Sequence, residues 1–424
     1  MASRISREES IETPYSWVIA IASLATLALS MGANYLAVIA VPFLEADFGW
    51  SRSAASALYS ATTLGAGIGG IVMGYYVTRV GVRAALHVAS AAILVGCILA
   101  ALSDSLPALL APAFLFIGMI GMGCGFAPLI ANASLWFDRN RGLAIAVVSC
   151  GQTVSGGIWQ VVFEPMVVAH GWRAVYIGYG LFAAAMIIPL SFFHNREPPE
   201  LARMRAQTAS GTAPASEQPM PDINKNFLTL LLGLAIVGCC VAMSMPIAQM
   251  VAYCSTLGYG TAVGAEIGSL LLICSAISRL AFGVVSDRIG GVNTILIGSS
   301  LQCAMLSLFI FFDTQEQLYI ISAMFGLVFG GIVPAYGMAV RDLFPAREAA
   351  KRTGYVYFFG YIGMGGGGLV GAMVYDITLS YPAAFGVGVA FNVANIALIL
   401  FIKGLVFART PKGPVSGTAM GAAA

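Results

Sequence analysis

Charge is what this chain has least of. Of its 424 residues only 9% are Asp, Glu, Lys or Arg, while 59% are hydrophobic. Soluble domains carry about 25% charged residues, and a soluble globule of this length could not hide so much apolar surface. Histidine is scarcer still. His87, His170 and His194 are scattered, and no His, Asp or Cys cluster marks a membrane enzyme or a metal centre. The eight cysteines (Cys97, Cys124, Cys150, Cys239, Cys240, Cys254, Cys274 and Cys303) fall in apolar runs without metal-ligand spacing. They read as small packing residues, so no disulfide framework, metal or cofactor is expected. The glycine-rich stretches 118–125 and 363–368 lack the Lys-Ser/Thr of a phosphate loop; close helix packing explains them. Nothing resembles an ATP-binding cassette, a nucleic-acid-binding feature or a receptor-sized soluble domain.

What is present is hydrophobicity in blocks of roughly 20 or more residues, the length that crosses a ~30 Å hydrocarbon core. Backbone groups in lipid must be satisfied internally, which leaves helices or a closed barrel. Barrel strands alternate apolar and polar; these blocks are apolar all round, so helices are expected. Twelve spans are read at about 15–44, 54–78, 83–103, 107–135, 141–165, 171–193, 227–256, 262–286, 291–313, 316–340, 350–375 and 381–407. The segment before Pro14 is polar, with Glu8, Glu9 and Glu12, and unlike a cleaved signal peptide. Span one is therefore expected to be retained.

With both termini placed in the cytoplasm, 18 Lys and Arg fall on that side and two, Arg52 and Arg173, on the other. This is the positive-inside pattern. Arg279 is left over inside a span. A polar, proline-bearing segment at 194–226 reads as a cytoplasmic linker. The expected order is thus a tail (1–14), a six-helix bundle (15–193), the linker, a second six-helix bundle (227–407) and a tail (408–424).

The halves repeat. Gly74, Thr78, Arg79 and Gly81 follow span two; Gly283, Asp287, Arg288 and Gly290 follow span eight, each offset by 209 residues. Gly142, Gly151 and Gly156 match Gly354, Gly363 and Gly368 at an offset of 212. Two parallel halves with a substrate site between them near the midplane form a known transporter plan. On these residues, together with Gly171-Trp172-Arg173, the chain resembles the major facilitator superfamily over nearly its whole length. The resemblance implies an all-α polytopic membrane protein of two pseudo-symmetric six-helix bundles. It also implies a latch between the halves made by Gly74, Arg79, Gly81, Arg83, Gly283, Asp287, Arg288 and Gly290. Thr78 stands where the superfamily usually has Asp.

A narrower resemblance is to the monocarboxylate porter and oxalate–formate exchanger group. It rests on Phe48-Gly49-Trp50-Ser51-Arg52, on Trp136-Phe137-Asp138-Arg139-Asn140-Arg141-Gly142-Leu143-Ala144, and on Arg279 four residues before Gly283. Span one lacks a Lys, and Ser275 stands where animal members carry Asp. The implied location is a bacterial inner membrane, and the implied co-substrate is a proton.

Arg279 lies about 10 Å of helix from the cytoplasmic end of span eight. A charge at such depth costs at least ~2.5–3.5 kcal/mol unless it faces a cavity or a partner. Asp287, eight residues on, is ~12 Å away along the axis. Snorkelling and a structural ion pair are the alternatives to anion binding. No Asp or Glu lies in the middle of a span; Glu45, Glu164, Glu266 and Asp376 sit near outer ends. One deep cation without a resident counter-ion points to a monoanionic substrate, held by a guanidinium fork that matches a carboxylate. Asn34, Tyr35, Gln152, Gln160, Gln249, Tyr253, Tyr336, Tyr357 and Tyr361 are the other mid-depth candidates; for each the alternative is an interhelical contact. The expected activity is secondary transport of a small organic monocarboxylate such as a lactate-like or aromatic acid, with anion exchange or export of acidic metabolites as the alternative. The expected partners are that anion, a proton and membrane lipid, with the monomer as the default state.

Overall fold

The computed structural model describes residues 10–201 and 223–409. The ends of both expected tails, the middle of the expected linker (202–222) and the side chain of Asp287 lie outside the described residues. Among the described residues, eleven helices are long and apolar enough to cross a membrane. The longest, Arg141–Ser191, is two helices meeting at Gly171, whose φ of 78° and ψ of 153° break the helical path. Glycine takes a positive φ without the Cβ clash that other residues suffer. Divided there, the helices number twelve. They are α1 Pro14–Phe48, α2 Arg52–Val80, α3 Val82–Ala101, α4 Leu106–Ser134, α5 141–170 and α6 172–191 in the first half. The second half holds α7 Lys225–Thr256, α8 Gly260–Ile289, α9 Gly291–Phe311, α10 Gln315–Leu343, α11 Ala346–Thr378 and α12 Tyr381–Arg409.

The sequence repeat is also a backbone repeat. The chain turns from α2 into α3 at Gly81 with φ 84° and ψ 161°, and from α8 into α9 at Gly290 with φ 81° and ψ 160°. Both positions sit in the positive-φ region that favours glycine. The halves meet along three seams: α2 packs on α11, α5 on α8, and the second part of α1 on α7. The end carrying Arg79, Arg83, Lys225, Arg288 and Lys351 is called the basic end below; Arg52 and Arg173 lie at the opposite end.

Candidate functional site

A cavity of about 50 Å³ lies between the halves. Tyr35 (α1), Phe126 (α4) and Gln152 (α5) line it from the first half; Arg279 (α8), Tyr357 and Tyr361 (α11) line it from the second. α11 contributes Tyr357, Gly360, Tyr361 and Met364, spaced three and four residues apart on one helical face.

Arg279 is 5% exposed. Its Nη1 donates to the Ser149 carbonyl at 2.7 Å and its Nη2 to Gln152 Oε1 at 3.2 Å, both across the α5–α8 seam. Among the described residues its Nε has no partner, neither Asp, Glu nor His lines the cavity, and Arg279 makes no ion pair. The Tyr35 hydroxyl donates to the Gln152 carbonyl at 3.1 Å. Its ring and Leu272 occupy the space where a Cβ on Gly156 would stand, so glycine is required for α1 and α8 to close on α5 here. Phe126 lies edge-on to Tyr357 and Tyr361, with ring centroids 6.1 and 6.5 Å away. A small anion in this cavity would meet one fixed cation, phenol, hydroxyl and amide groups, and otherwise largely apolar walls of aliphatic, phenylalanine, methionine and cysteine side chains.

Arg279, Tyr35, Gln152, Tyr357 and Tyr361 therefore come together, and the other candidates do not join them. Asn34 Oδ1 accepts from Thr62 at 2.5 Å and Thr63 at 3.2 Å, tying α1 to α2. Gln249 Nε2 donates to the Gly368 carbonyl at 2.8 Å and Ser56 Oγ at 3.3 Å, tying α7 to α11 and α2. Tyr253 packs on Tyr381 and Phe385. The Tyr336 hydroxyl donates to Asn395 Oδ1 at 2.7 Å. Gln160 is fully buried in the α5–α8 seam, with neither amide atom partnered. The α7 wall consists of Ile236, Cys240, Met243 and Ile247. Gln249 follows Ile247 by two residues, about 200° around the helix, which turns it out of the cavity.

Of the residues expected to form the latch, Arg79 stacks on Tyr75, with its guanidinium carbon 4.4 Å from the ring centroid. Arg83 reaches Asn195 Oδ1 at 3.0 Å. Neither contact reaches the second half. Among the described residues, polar clasps between the halves lie at the opposite end. Asp376 of α11 accepts from the backbone N–H groups of Arg52 at 3.0 Å and Ser53 at 2.9 Å, capping the α2 N-terminus from the other half. Arg52 also pairs with Glu45 and donates to the Tyr381 hydroxyl. On the α5–α8 seam, Thr261 Oγ1 donates to Glu164 Oε1 at 2.6 Å. Sequence reasoning placed these carboxylates at span ends without giving them a role. Their scarcity in so apolar a chain was the available signal.

A family model described as the Major Facilitator Superfamily matches residues 22–311 and 230–418. The chain is 23% identical to the MFS transporter asaE of Aspergillus flavus over 58% of its length, a match that spans 53% of that relative. It is 22% identical to monocarboxylate transporter 13 of Rattus norvegicus, with 76% of this chain and 74% of that one aligned. The fold is similar to that of a bacterial homologue of the human lysosomal transporter Spinster, solved inward-facing and occupied. The TM-score is 0.66 at 15% identity, covering 94% of this chain and 98% of the other.

Proposed function

The chain belongs to the Major Facilitator Superfamily, and on that premise we propose that it is a secondary transporter of a small organic monocarboxylate, anchored by Arg279. The observation that carries this reading is a buried guanidinium in the cavity between the halves with no carboxylate beside it among the described residues. Burying an uncompensated charge is costly. A substrate carboxylate arriving at the free Nε edge offsets that cost, and a guanidinium binds it through paired N–H donors. The Tyr357 and Tyr361 hydroxyls, which make no hydrogen bond to the described residues, donate to further substrate oxygens. The halves rock about the site, so that the clasps at Asp376 and Glu164 open as contacts form at the basic end. We take the basic end as cytoplasmic and a bacterial inner membrane as the location.

Proton symport is the first reading of the driving force. Exchange or export of organic anions is the second, and the lack of Asp, Glu and His among the described residues of the cavity wall favours it, since no carboxylate or imidazole there is available to relay a proton. Purified protein in liposomes tests both. Uptake of candidate acids stimulated by an inward proton gradient supports symport, and stimulation by internal substrate alone supports exchange. Uptake unaffected by Arg279→Ala would sink the anchor role.

A further inference from the structure

Within the internal repeat, Thr78 stands where the second copy has Asp287. Thr78 lines a cleft at the basic end between α2, α4 and α11, together with Gly70, Gly74, Tyr75 and Lys351. This cleft adjoins the central cavity: Phe126, Tyr357 and Tyr361 line both. Depth separates closed from open along it. A Cβ on Gly67 would stand 2.6 Å from Tyr361 Cβ, so α2 and α11 touch there. At Gly70 and Gly74, nearer the basic end, it would meet nothing within 4 Å.

Among the described residues, Lys351 is the one charged side chain lining this cleft. It is exposed, lies 5.8 Å from the Tyr355 ring centroid, and makes no ion pair among the described residues. The nearest carboxylate in sequence, Glu348, is held by Lys225 at 2.9 Å and Arg352 at 2.7 Å. The Thr78 hydroxyl donates to the Tyr75 carbonyl at 2.7 Å, so it adds no charge to the mouth and is satisfied within its own helix.

We propose that this cleft is the passage between the central site and the basic end, that Lys351 is a second, transient anion-binding position at its mouth, and that Thr78 keeps that mouth free of negative charge. The proposal rests on the reading of Arg279 as the anchor for an anionic substrate. A cation over largely apolar walls focuses its field along the passage and raises the local anion concentration. Solvent exposure keeps the interaction weak, so the anion leaves as readily as it arrives. An aspartate at position 78 would set a like charge in the anion's path.

Transport of an acid that the full-length protein carries, measured in membrane vesicles of both orientations, tests this. Lys351→Gln should raise KM on the basic-end side by about two- to fivefold, the span of an exposed ion pair, and flatten its dependence on salt. Lys351→Arg should restore it. Thr78→Asp should raise the same KM with Lys351 intact. KM on the opposite side, and the Arg279-dependent thermal shift given by the same acid, should stay unchanged. If neither Lys351→Gln nor Thr78→Asp moves the basic-side KM while that thermal shift persists, the passage is overturned and the central anchor stands. If no organic acid gives an Arg279-dependent shift, the anchor reading fails and the passage fails with it.

Discussion

Replacing Asp376 with Ala should open the opposite end of the transporter. The Asp376 carboxylate accepts two backbone N–H groups at the start of α2, at 3.0 and 2.9 Å. It therefore serves α2 as an N-terminal cap and as a counter-charge to the helix dipole, although it belongs to the other half. An N-cap is worth about 1 kcal/mol and the dipole interaction up to about another. The cap exists only while the halves touch, so its loss falls entirely on the closed arrangement. A change of about 1–2 kcal/mol shifts a two-state population by roughly 5- to 30-fold. Spin labels at Leu102 and Phe311, exposed at the opposite end in the first and second halves, would report it by pulsed dipolar spectroscopy. Asp376→Ala should enlarge the long-distance population by about tenfold, and Asp376→Asn, which keeps an acceptor oxygen, by less. An unchanged distance distribution in Asp376→Ala would refute the idea that this carboxylate holds the outer side shut.

Arg279→Met should abolish uptake yet raise the melting temperature of ligand-free protein, because it removes a buried charge that has no counter-ion; a lower melting temperature would show that the Ser149 and Gln152 bonds dominate. Arg279→Lys keeps the charge but loses the fork, and should weaken substrate binding by roughly 10- to 100-fold in a thermal-shift titration, the range of a lost charge-assisted hydrogen bond. Gly156→Ala should force Tyr35 and Leu272 apart, cutting transport while leaving expression intact; full activity would mean that this close approach is not needed. Hydrogen bonds from Lys225 and Arg352 pull the Glu348 carboxyl down from its ordinary 4.5 to about 2. A depressed pKa stabilises the fold fully above the ordinary value, and the contribution is lost as pH falls toward 2. Glu348→Gln should therefore lower the melting temperature at pH 7 and remove part of the drop seen between pH 5 and pH 3; an unchanged drop would show that other groups cause it.

The spans were legible because hydropathy acts on each segment separately, and Gly171 was legible as a boundary because a glycine before Trp172-Arg173 interrupts an otherwise continuous apolar run. The site was legible only in part. Tyr357 and Tyr361 share a helical face, and that face does line the cavity. Gln249 and Tyr253 share a face equally well, yet Gln249 is taken by Gly368 and Ser56 and Tyr253 by Tyr381 and Phe385. Spacing shows which residues travel together, but not which way their helix is turned. The apolar wall of α7 was silent, since isoleucine and methionine read alike in a wall and in a core.

By itself, the sequence determined that this chain spans a membrane many times, repeats one plan twice and buries a single arginine. Each of these follows from the cost of placing polar or charged groups in hydrocarbon, which is set segment by segment. Only the tertiary structure decided which donors stand around Arg279, where the two halves are clasped, and that Phe126, Tyr357 and Tyr361 line both the central cavity and the cleft carrying Thr78 and Lys351. Those outcomes depend on how each helix is rotated against its neighbours, and that rotation is settled by packing between segments far apart in the chain.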